Sequence, residues 1–299
     1  YDVQPVDPID LWESPPFVPQ RRDDRLYGRG MSDDKGNIVA RLAAIDAFMK
    51  VRGVLPCSVK FFAEGEEEIG SINLPKLVSE RADRMAADVC IWEGGGRNSS
   101  NDPFIYLGLK GILTVEISSS MLSGDAHSSY ATVLPSAPWR LLQALNTLRA
   151  PDGRVLIEGF YEDVLPTTLE EDEAIANLPD EAEEWKSTFG TGEFLGKLSG
   201  ERLRRHHLLE PTCNIDGITS GYQGPGTKTV LPASASAKLD FRLVPEMDPG
   251  DIYEKLRSHL VKHGFSDVET MFMGGEYAYR TPMNSPWTRL VVETARDVY

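Results

Sequence analysis

The sequence has no long apolar run, few cysteines and a deficit of basic residues. No apolar run approaches the ~20 residues that a membrane-spanning helix needs, and the start carries no signal-peptide pattern. The 299 residues include 31 Lys and Arg against 46 Asp and Glu, which gives a formal net charge of −15. Binding to phosphate groups requires a basic surface, so the charge argues against nucleic acid or an anionic membrane as the main partner.

The three cysteines are Cys57, Cys90 and Cys213, which are widely spaced and mostly in apolar surroundings. An odd number of separated cysteines is typical of buried thiols in a reducing compartment, not of a disulfide framework or a thiolate metal site. We therefore expect a cytoplasmic protein.

Carboxylates cluster in three turns of the first hundred residues: Asp33-Asp34, residues 66–68 and Glu93. Strands predicted at residues 58–63 and 89–92 lead into the last two turns. In a parallel α/β sheet such turns gather at the carboxyl ends of the strands, where ligands bind. Because clustered carboxylates repel one another, a divalent cation is the simplest group to neutralise them, and the pattern predicts a metal-dependent enzyme.

The order of predicted elements divides the chain into two domains. Residues 1–107 alternate strand, acidic turn and helix, which predicts an α/β fold with a doubly wound, mostly parallel sheet. Residues 108–275 follow the order strand–helix–strand–strand–helix–strand, the split βαβ or ferredoxin-like arrangement of an α+β domain. We expect this second domain to be inserted into the first, whose chain returns at residues 276–299.

The acidic turns also have simpler interpretations. One acid of Asp33-Asp34 is a natural helix N-cap, and three successive glutamates commonly form a solvated turn. Adjacent glutamates point in different directions, however, so one can bind a metal ion while its neighbour acts as a general base. A pair such as Glu67 and Glu93 also fits a glycosidase, which would work without metal.

Several segments, in order, resemble the dinuclear zinc peptidases and deacylases, a family that includes carnosine dipeptidases, aminoacylases, acetylornithine deacetylase and succinyl-diaminopimelate desuccinylase. The matching segments are Tyr1-Asp2 with residues 27–36, residues 64–71, Glu93, residues 125–128, and residues 226–232 with 241–245. The last of these resemble carnosine-type dipeptidases most. The resemblance implies a catalytic domain, an inserted lid and dimerisation domain, and a homodimer.

The resemblance also implies roles in a two-metal site, with zinc expected and manganese or cobalt as alternatives. Asp33 resembles the carboxylate that bridges the two ions, beside a cis peptide bond to Asp34. Glu68 and Glu93 resemble the terminal ligands of the two ions. Glu67 resembles the general base, which takes a proton from the attacking water and passes it to the leaving amine.

In the inserted domain, His127 resembles a histidine that reaches the active site of the partner subunit and stabilises the oxyanion of the tetrahedral intermediate. Arg242, Thr229 and Asn214 resemble residues that bind the carboxylate of the substrate. Without the resemblance, His127 is simply a histidine in a polar loop and Arg242 a solvent-facing strand residue.

Two metal-binding histidines of the family pattern are missing. One would lie just ahead of Tyr1 and the other beyond Tyr299, so we expect a fragment that lacks part of the metal site. Asp2 resembles the carboxylate that orients the first of these histidines. His259 and His263 have i, i+4 spacing, but we interpret them as cationic residues near a helix C-terminus and not as metal ligands.

Together these patterns predict a metal-dependent hydrolase that cleaves an amide bond next to a free carboxylate, with dipeptides as the first choice of substrate. The expected mechanism is attack by a water activated between two divalent metal ions, with Glu67 as the base. The alternatives are an N-acyl-amino-acid deacylase of the desuccinylase or deacetylase type and a metal-free, non-catalytic homologue.

Overall fold

The computed structural model describes residues 1–92, 95–98 and 102–299. The strands of this part are β1 (Gln20–Arg22), β2 (Arg25–Tyr27), β3 (Gly108–Leu109), β4 (Gly111–Ser120), β5 (Ala126–His127), β6 (Asn214–Ser220), β7 (Val230–Leu231), β8 (Ser234–Leu243), β9 (Glu269–Glu276) and β10 (Tyr279–Arg280). The helices are α1 (Lys35–Arg52), α2 (Leu74–Glu80), α3 (Ala82–Met85), α4 (Ala137–Leu145), α5 (Leu169–Asn177), α6 (Ala182–Phe189), α7 (Gly200–Leu209), α8 (Pro249–Lys262) and α9 (Pro286–Val298). No helix in the described ranges is both long enough and apolar enough to cross a bilayer.

The chain divides into two compact units. The first comprises Tyr1–Ile105 with Val292–Tyr299, and the second comprises Tyr106–Val291. Residues 276–291, which the sequence assigned to the first domain, group with the second unit, where β10 pairs with β3.

The second unit is built on an antiparallel sheet with the strand order β6-β8-β4-β9. Helix α4 follows β4 and contacts β4 and β8, whereas α8 follows β8 and contacts β4 and β9. This is the strand order of a split βαβ arrangement. The first strand expected in this domain is present as β4, whose ladder with β8 runs from Gly111 to Ser120.

The core of the second unit follows from the two-residue period of its central strands. On β4, Leu113, Val115 and Ile117 are fully buried, and the residues between them face the other side of the sheet and are only partly buried. In a strand, successive side chains point to opposite faces, so one face of the sheet supplies the core. Apolar residues of α8, such as Ile252 and Leu256, complete it.

In the first unit, the long helix α1 ends at a glycine. Gly53 ends α1 in a left-handed conformation with φ +74°, and its N–H donates to Met49 O at 2.8 Å. Glycine adopts this conformation without the steric cost of a Cβ atom, which explains why it stops the helix.

The parallel sheet predicted for residues 1–107 is not seen in the described residues. Residues 58–63 and 89–92 lie outside the assigned strands, and apolar side chains such as Phe61 (51%) and Ile91 (74%) are exposed. All strand pairs of the described ranges are antiparallel, including the small β1–β2 hairpin. A strand needs a neighbouring backbone to complete its hydrogen-bond ladder, and an apolar composition alone does not supply one.

Candidate functional site

Asp2 connects the start of the chain to residues 64–68, which we call the glutamate turn. Its Oδ1 accepts the backbone N–H of Glu67 at 3.1 Å, and its Oδ2 accepts that of Glu68 at 3.1 Å. These amides open the short 3₁₀ helix Glu67–Ile69, where a carboxylate is favoured. Burial acts to raise the pKa of Asp2, but the hydrogen bonds from the amides of Glu68 and Glu67 outweigh it and hold the pKa below its ordinary value of 3.8.

Gln4 holds the carboxylate of Glu68. Its backbone N–H donates to Glu68 Oε1 at 3.1 Å, and its side-chain Nε2 donates to Oε2 at 2.7 Å. The predicted metal ligand is therefore oriented through both of its oxygens. The sequence prediction missed Gln4, for which the only signal is its two-residue spacing from Asp2, since alternate residues of an extended segment share a side.

The glutamates of the turn have distinct surroundings. Glu66 accepts hydrogen bonds from the backbone N–H of Asn73 at 3.1 Å and from its side-chain Nδ2 at 2.8 Å. Glu64 Oε1 accepts the hydroxyl of Ser71 at 2.7 Å. Glu66 and Glu64 thus brace the turn, whereas the side chain of Glu67 is exposed.

The Asp33-Asp34 turn begins α1. The peptide bond between the two residues is cis, which agrees with the resemblance. Asp33 is exposed, while Asp34 occupies the N-cap position of α1 and is partly buried. In the described part of the chain, Asp34 Oδ1 is buried and has no hydrogen-bond partner, although the terminal ammonium of Tyr1 lies 3.8 Å away. A buried carboxylate oxygen without a donor is costly unless a cation compensates it.

The described residues fit a divalent metal ion in ligand type but do not complete a site. Asp33 and Glu68 offer the oxygen ligands that such ions accept, and Asp34 adds a buried acceptor. Within residues 1–92, 95–98 and 102–299, no three His, Cys, Asp or Glu side chains meet closely enough to hold a metal ion. The remaining predicted ligand, Glu93, lies outside the described residues.

In the second unit, the fold brings His127 next to the segment that carries Thr229. Strands β5 and β7 pair, with His127 opposite Val230. The N–H of Ser128 donates to Thr229 O at 3.3 Å. The pairing therefore holds two of the predicted site residues, far apart in sequence, close to each other, with Thr229 directly before the ladder.

Arg242 and Asn214 are also neighbours, because β8 and β6 pair. Asn214 Nδ2 donates to Asp240 Oδ2 at 2.9 Å, and Arg242 Nε lies 3.6 Å from Asp240 Oδ1. Burial raises the pKa of Asp216, and a hydrogen bond with Asp240 and its charge raise it further. Asp240, which the sequence prediction missed, connects two predicted substrate-binding residues, and the Arg242 side chain remains 54% exposed.

The pair His259 and His263 lies at the end of α8, where His259 is buried and His263 is exposed. The two rings stack at 4.2 Å between centroids, and His259 is only 3% exposed. Its Nε2 lies 3.1 Å from Thr147 Oγ1. Burial, followed by the charge of His263, lowers the pKa of His259. The lowered pKa disfavours the cationic form of His259 that the sequence interpretation assumed.

Comparison with known proteins identifies the family. The chain is 32% identical over 262 residues to the beta-Ala-His dipeptidase of Homo sapiens, covering 87% of this chain and 52% of that protein. It is 28% identical to the Cys-Gly metallodipeptidase DUG1 of Candida albicans, covering 100% of this chain and 64% of that protein. The chain thus spans about half of the length of the human relative and somewhat more of the yeast one.

Among solved structures, the chain is similar to the M20 family metallo-carboxypeptidase Sso-CP2 from Sulfolobus solfataricus. The TM-score is 0.94 at 43% sequence identity, covering 100% of this chain and 68% of that one. The pattern of peptidase family M20/M25/M40 matches residues 1–299. The chain therefore belongs to peptidase family M20/M25/M40, which confirms the resemblance drawn from its motifs.

Proposed function

We propose that this chain is the greater part of a metallopeptidase that hydrolyses the amide bond next to a free carboxylate, with dipeptides as the first substrate class. Membership of the M20/M25/M40 family supports a peptidase, and two of the relatives described above are named as dipeptidases. The observation that carries the proposal further is the glutamate turn, where Asp2 and Gln4 fix the backbone and side chain of adjacent glutamates.

Glu67 is the proposed general base. A base must stay accessible to the attacking water, and Glu67 is exposed while its own amide is fixed by Asp2. It would accept the proton of the attacking water and deliver it to the leaving amine. Asp2 acts here by holding the turn, and its predicted role in orienting a histidine remains part of the proposal.

Asp33, Glu68 and Glu93 are the proposed metal ligands. The Glu68 carboxylate is already oriented by Gln4 through both oxygens. Two divalent ions bound there, zinc in the first place with manganese or cobalt as alternatives, would polarise the substrate carbonyl and lower the pKa of the attacking water.

The second unit supplies the proposed substrate contacts. Arg242 offers a planar fork for a carboxylate, and its exposed guanidinium is held only loosely by Asp240 at 3.6 Å. Thr229 and Asn214 would add neutral donors. His127 would donate a hydrogen bond to the oxyanion, acting in the site of the partner subunit of a homodimer.

A carboxypeptidase is the second candidate. It is favoured by the 43% identity to a protein named as a metallo-carboxypeptidase, which is higher than the identity to the two dipeptidases described above. Both activities need a free carboxylate on the carboxyl side of the cleaved bond. They differ in the length of peptide on the amino side.

A substrate panel on the intact protein tests the proposal. It would contain dipeptides, tetrapeptides, the same peptides with amidated carboxyl ends, and N-acyl amino acids, each with and without chelator, alongside metal analysis. We expect dipeptides to be cleaved fastest, amidation and chelation to abolish cleavage, and added zinc or manganese to restore it.

The other outcomes select among the alternatives. Faster cleavage of tetrapeptides would make the protein a carboxypeptidase, and a preference for N-acyl amino acids would make it a deacylase. Absence of both bound metal and hydrolysis would identify a non-catalytic homologue. Activity that is unchanged by chelation would reject the metal-dependent mechanism.

A further inference from the structure

The imidazole of His127 is bound by the helix that follows it. His127 is the N-cap of the 3₁₀ helix Ser128–Thr132. The backbone N–H of Ser129 donates to His127 Nδ1 at 3.1 Å, and the hydroxyl oxygen of Ser129 lies 2.9 Å from the same nitrogen. The ring is therefore fixed at Nδ1 by two groups of one residue.

This contact determines which nitrogen carries the proton. A backbone amide can only donate, so Nδ1 must present its lone pair to the Ser129 N–H. In the uncharged ring the proton then resides on Nε2. The backbone fixes the position of the amide hydrogen. The hydroxyl of Ser129, in contrast, can rotate to act as a donor or as an acceptor.

The surroundings of His127 differ from those of a histidine base. In a histidine base, a carboxylate usually accepts the Nδ1 proton, which leaves Nε2 as an acceptor. The nearest carboxylate along the chain is Asp125, and its Oδ1 accepts the N–H of Ala233 at 3.0 Å instead. With an amide in place of a carboxylate at Nδ1, Nε2 becomes a donor. A donor is what a developing oxyanion requires.

We infer that Ser129 is a positioning residue, which uses its backbone amide and hydroxyl to hold His127 as the Nε2–H tautomer and to aim that N–H at the acceptor. The inference rests on the proposed function for the identity of the acceptor, the oxyanion of the substrate. The tautomer itself rests on the hydrogen bond alone.

The first test is the imidazole ¹⁵N NMR spectrum of the 299-residue chain at about pH 8.5, a pH well above the ordinary pKa of histidine side chains in general. The signals of His127 are assigned by their loss in His127→Gln. We expect a single Nε2–H tautomer. A ring protonated at Nδ1, or a mixture of the two tautomers, would overturn the inference even in an active peptidase. A pure Nε2–H ring here, together with an intact protein that has no peptidase activity, would instead reject the proposed function and leave the inference standing.

The second test removes the amide in the intact enzyme. Ser129→Pro deletes this N–H at a helix start, where proline is tolerated. We expect kcat to fall about 10–100-fold with little change in KM, because the donor acts mainly in the transition state, and we expect the tautomers to mix. Ser129→Ala keeps the amide and should retain a single tautomer and most of kcat. Ser129→Thr keeps both the amide and a hydroxyl and should match the unaltered enzyme in tautomer and kcat.

Thr132→Ala, at the other end of the same helix, is the matched control for a general effect of substitution in this segment. If Ser129→Pro is folded and retains both kcat and a pure Nε2–H ring, Ser129 has no positioning role. A rise in KM with unchanged kcat would also overturn the inference, because it would assign Ser129 to substrate binding. Should the proline variant not fold, the spectrum of the unaltered chain still decides the tautomer.

Discussion

At the scale of single residues, the glutamate turn shows how neighbours of one chemical type come to differ. Glu66 is engaged by Asn73 and Glu68 by Gln4, and Glu67 lies between them with an exposed side chain. Glu66 is the N-cap of the short 3₁₀ helix, and Glu67 and Glu68 are its first two residues. Their proposed functions differ because their contacts differ.

Glu67→Gln in the intact protein should keep the metal content and lower kcat by about 10²–10⁴-fold, the usual contribution of a general base. The amide side chain has nearly the same shape, so the ligands around it remain in place. Metal analysis and steady-state kinetics check the prediction.

Glu66→Gln is the matched control, because it makes the same chemical change one residue away at a side chain bound to Asn73. We expect it to keep most of its turnover. If Glu67→Gln loses metal instead of activity alone, the proposed base and ligand are exchanged between Glu67 and Glu68.

The sequence pointed to the candidate catalytic and metal-binding residues, but not to the residues that hold those side chains in place. Asp2 and Glu68 belong to motifs, whereas Gln4 and Ser129 are ordinary polar residues whose importance depends on where the backbone places them. Hydrogen bonds from backbone amides leave no mark in a sequence. Such partners become visible only with the fold.

At the scale of elements, the central strands of the second unit give a direct test of the core. Leu239 on β8 is 1% exposed and faces Val115 on β4. Leu239→Ala should reduce the free energy of unfolding by about 2–5 kcal/mol, because it removes buried methyl groups and leaves a cavity. Urea unfolding measures the change.

The control is Lys238→Ala on the opposite, exposed face of the same strand, which should change stability by no more than about 0.5 kcal/mol. Equal effects at the two positions would contradict the alternation of buried and exposed residues along β8.

The pair His259 and His263 predicts a dependence of stability on pH. Burial and the charge of His263 lower the pKa of His259 in the folded state, so the unfolded state binds more protons as the pH falls. The free energy of unfolding is thus undiminished by His259 above its unfolded-state pKa of about 6.5. It declines as the pH falls from there through the lowered pKa of the folded state. Of the charged groups around the ring, Lys262 disfavours protonation and Glu158 favours it.

Calorimetric melting between about pH 5 and 8 checks this prediction. His259→Gln should flatten the decline, because glutamine retains a polar group for Thr147 and does not titrate. His206→Gln, on an exposed position of α7, is the control and should melt with the pH dependence of the parent chain. An unchanged pH dependence in His259→Gln would show that other groups cause the decline.

A helix or strand could be predicted from the sequence where its local residue pattern agrees with its packing in the fold. On β4 and β8, buried and less buried residues alternate, and the side chains in the sequence alternate with them. The end of α1 needs a left-handed residue, and the sequence has a glycine there. Residues 58–63 have equally strong strand composition but lie outside the strands of the described part of the chain. Strand formation depends on a partner, which local composition does not reveal.

At the scale of the whole molecule, the proposed homodimer predicts that two inactive variants repair each other. Glu67→Gln lacks the base, and His127→Ala lacks the oxyanion donor. If His127 acts in the partner's site, a mixed dimer has one site with both groups intact and one with neither. Equimolar, fully exchanged protomers should therefore recover about a quarter of the unaltered activity, since half of the dimers are mixed.

Mixing is measured after denaturation and refolding together, with each variant refolded alone as the control. Recovery of no activity, with mixed dimers demonstrated by differential tags, would place His127 and Glu67 of one protomer in the same site. The peptidase proposal is tested separately, by the activity of the unaltered protein, so its failure can be distinguished from failure of the dimer proposal.

The position of β4 in its sheet has a consequence for biosynthesis. Both neighbours of β4, β8 and β9, follow it in the chain, beyond the helices α5, α6 and α7. At a translation rate of about 5–20 residues per second, β8 emerges from the ribosome roughly 6–25 s after β4, and β9 emerges later still. During that delay the apolar side of the nascent strand, with Leu113, Val115 and Ile117, has no sheet to join. Slower translation prolongs this exposure, so the soluble yield of the chain should depend on chaperones that shield nascent strands.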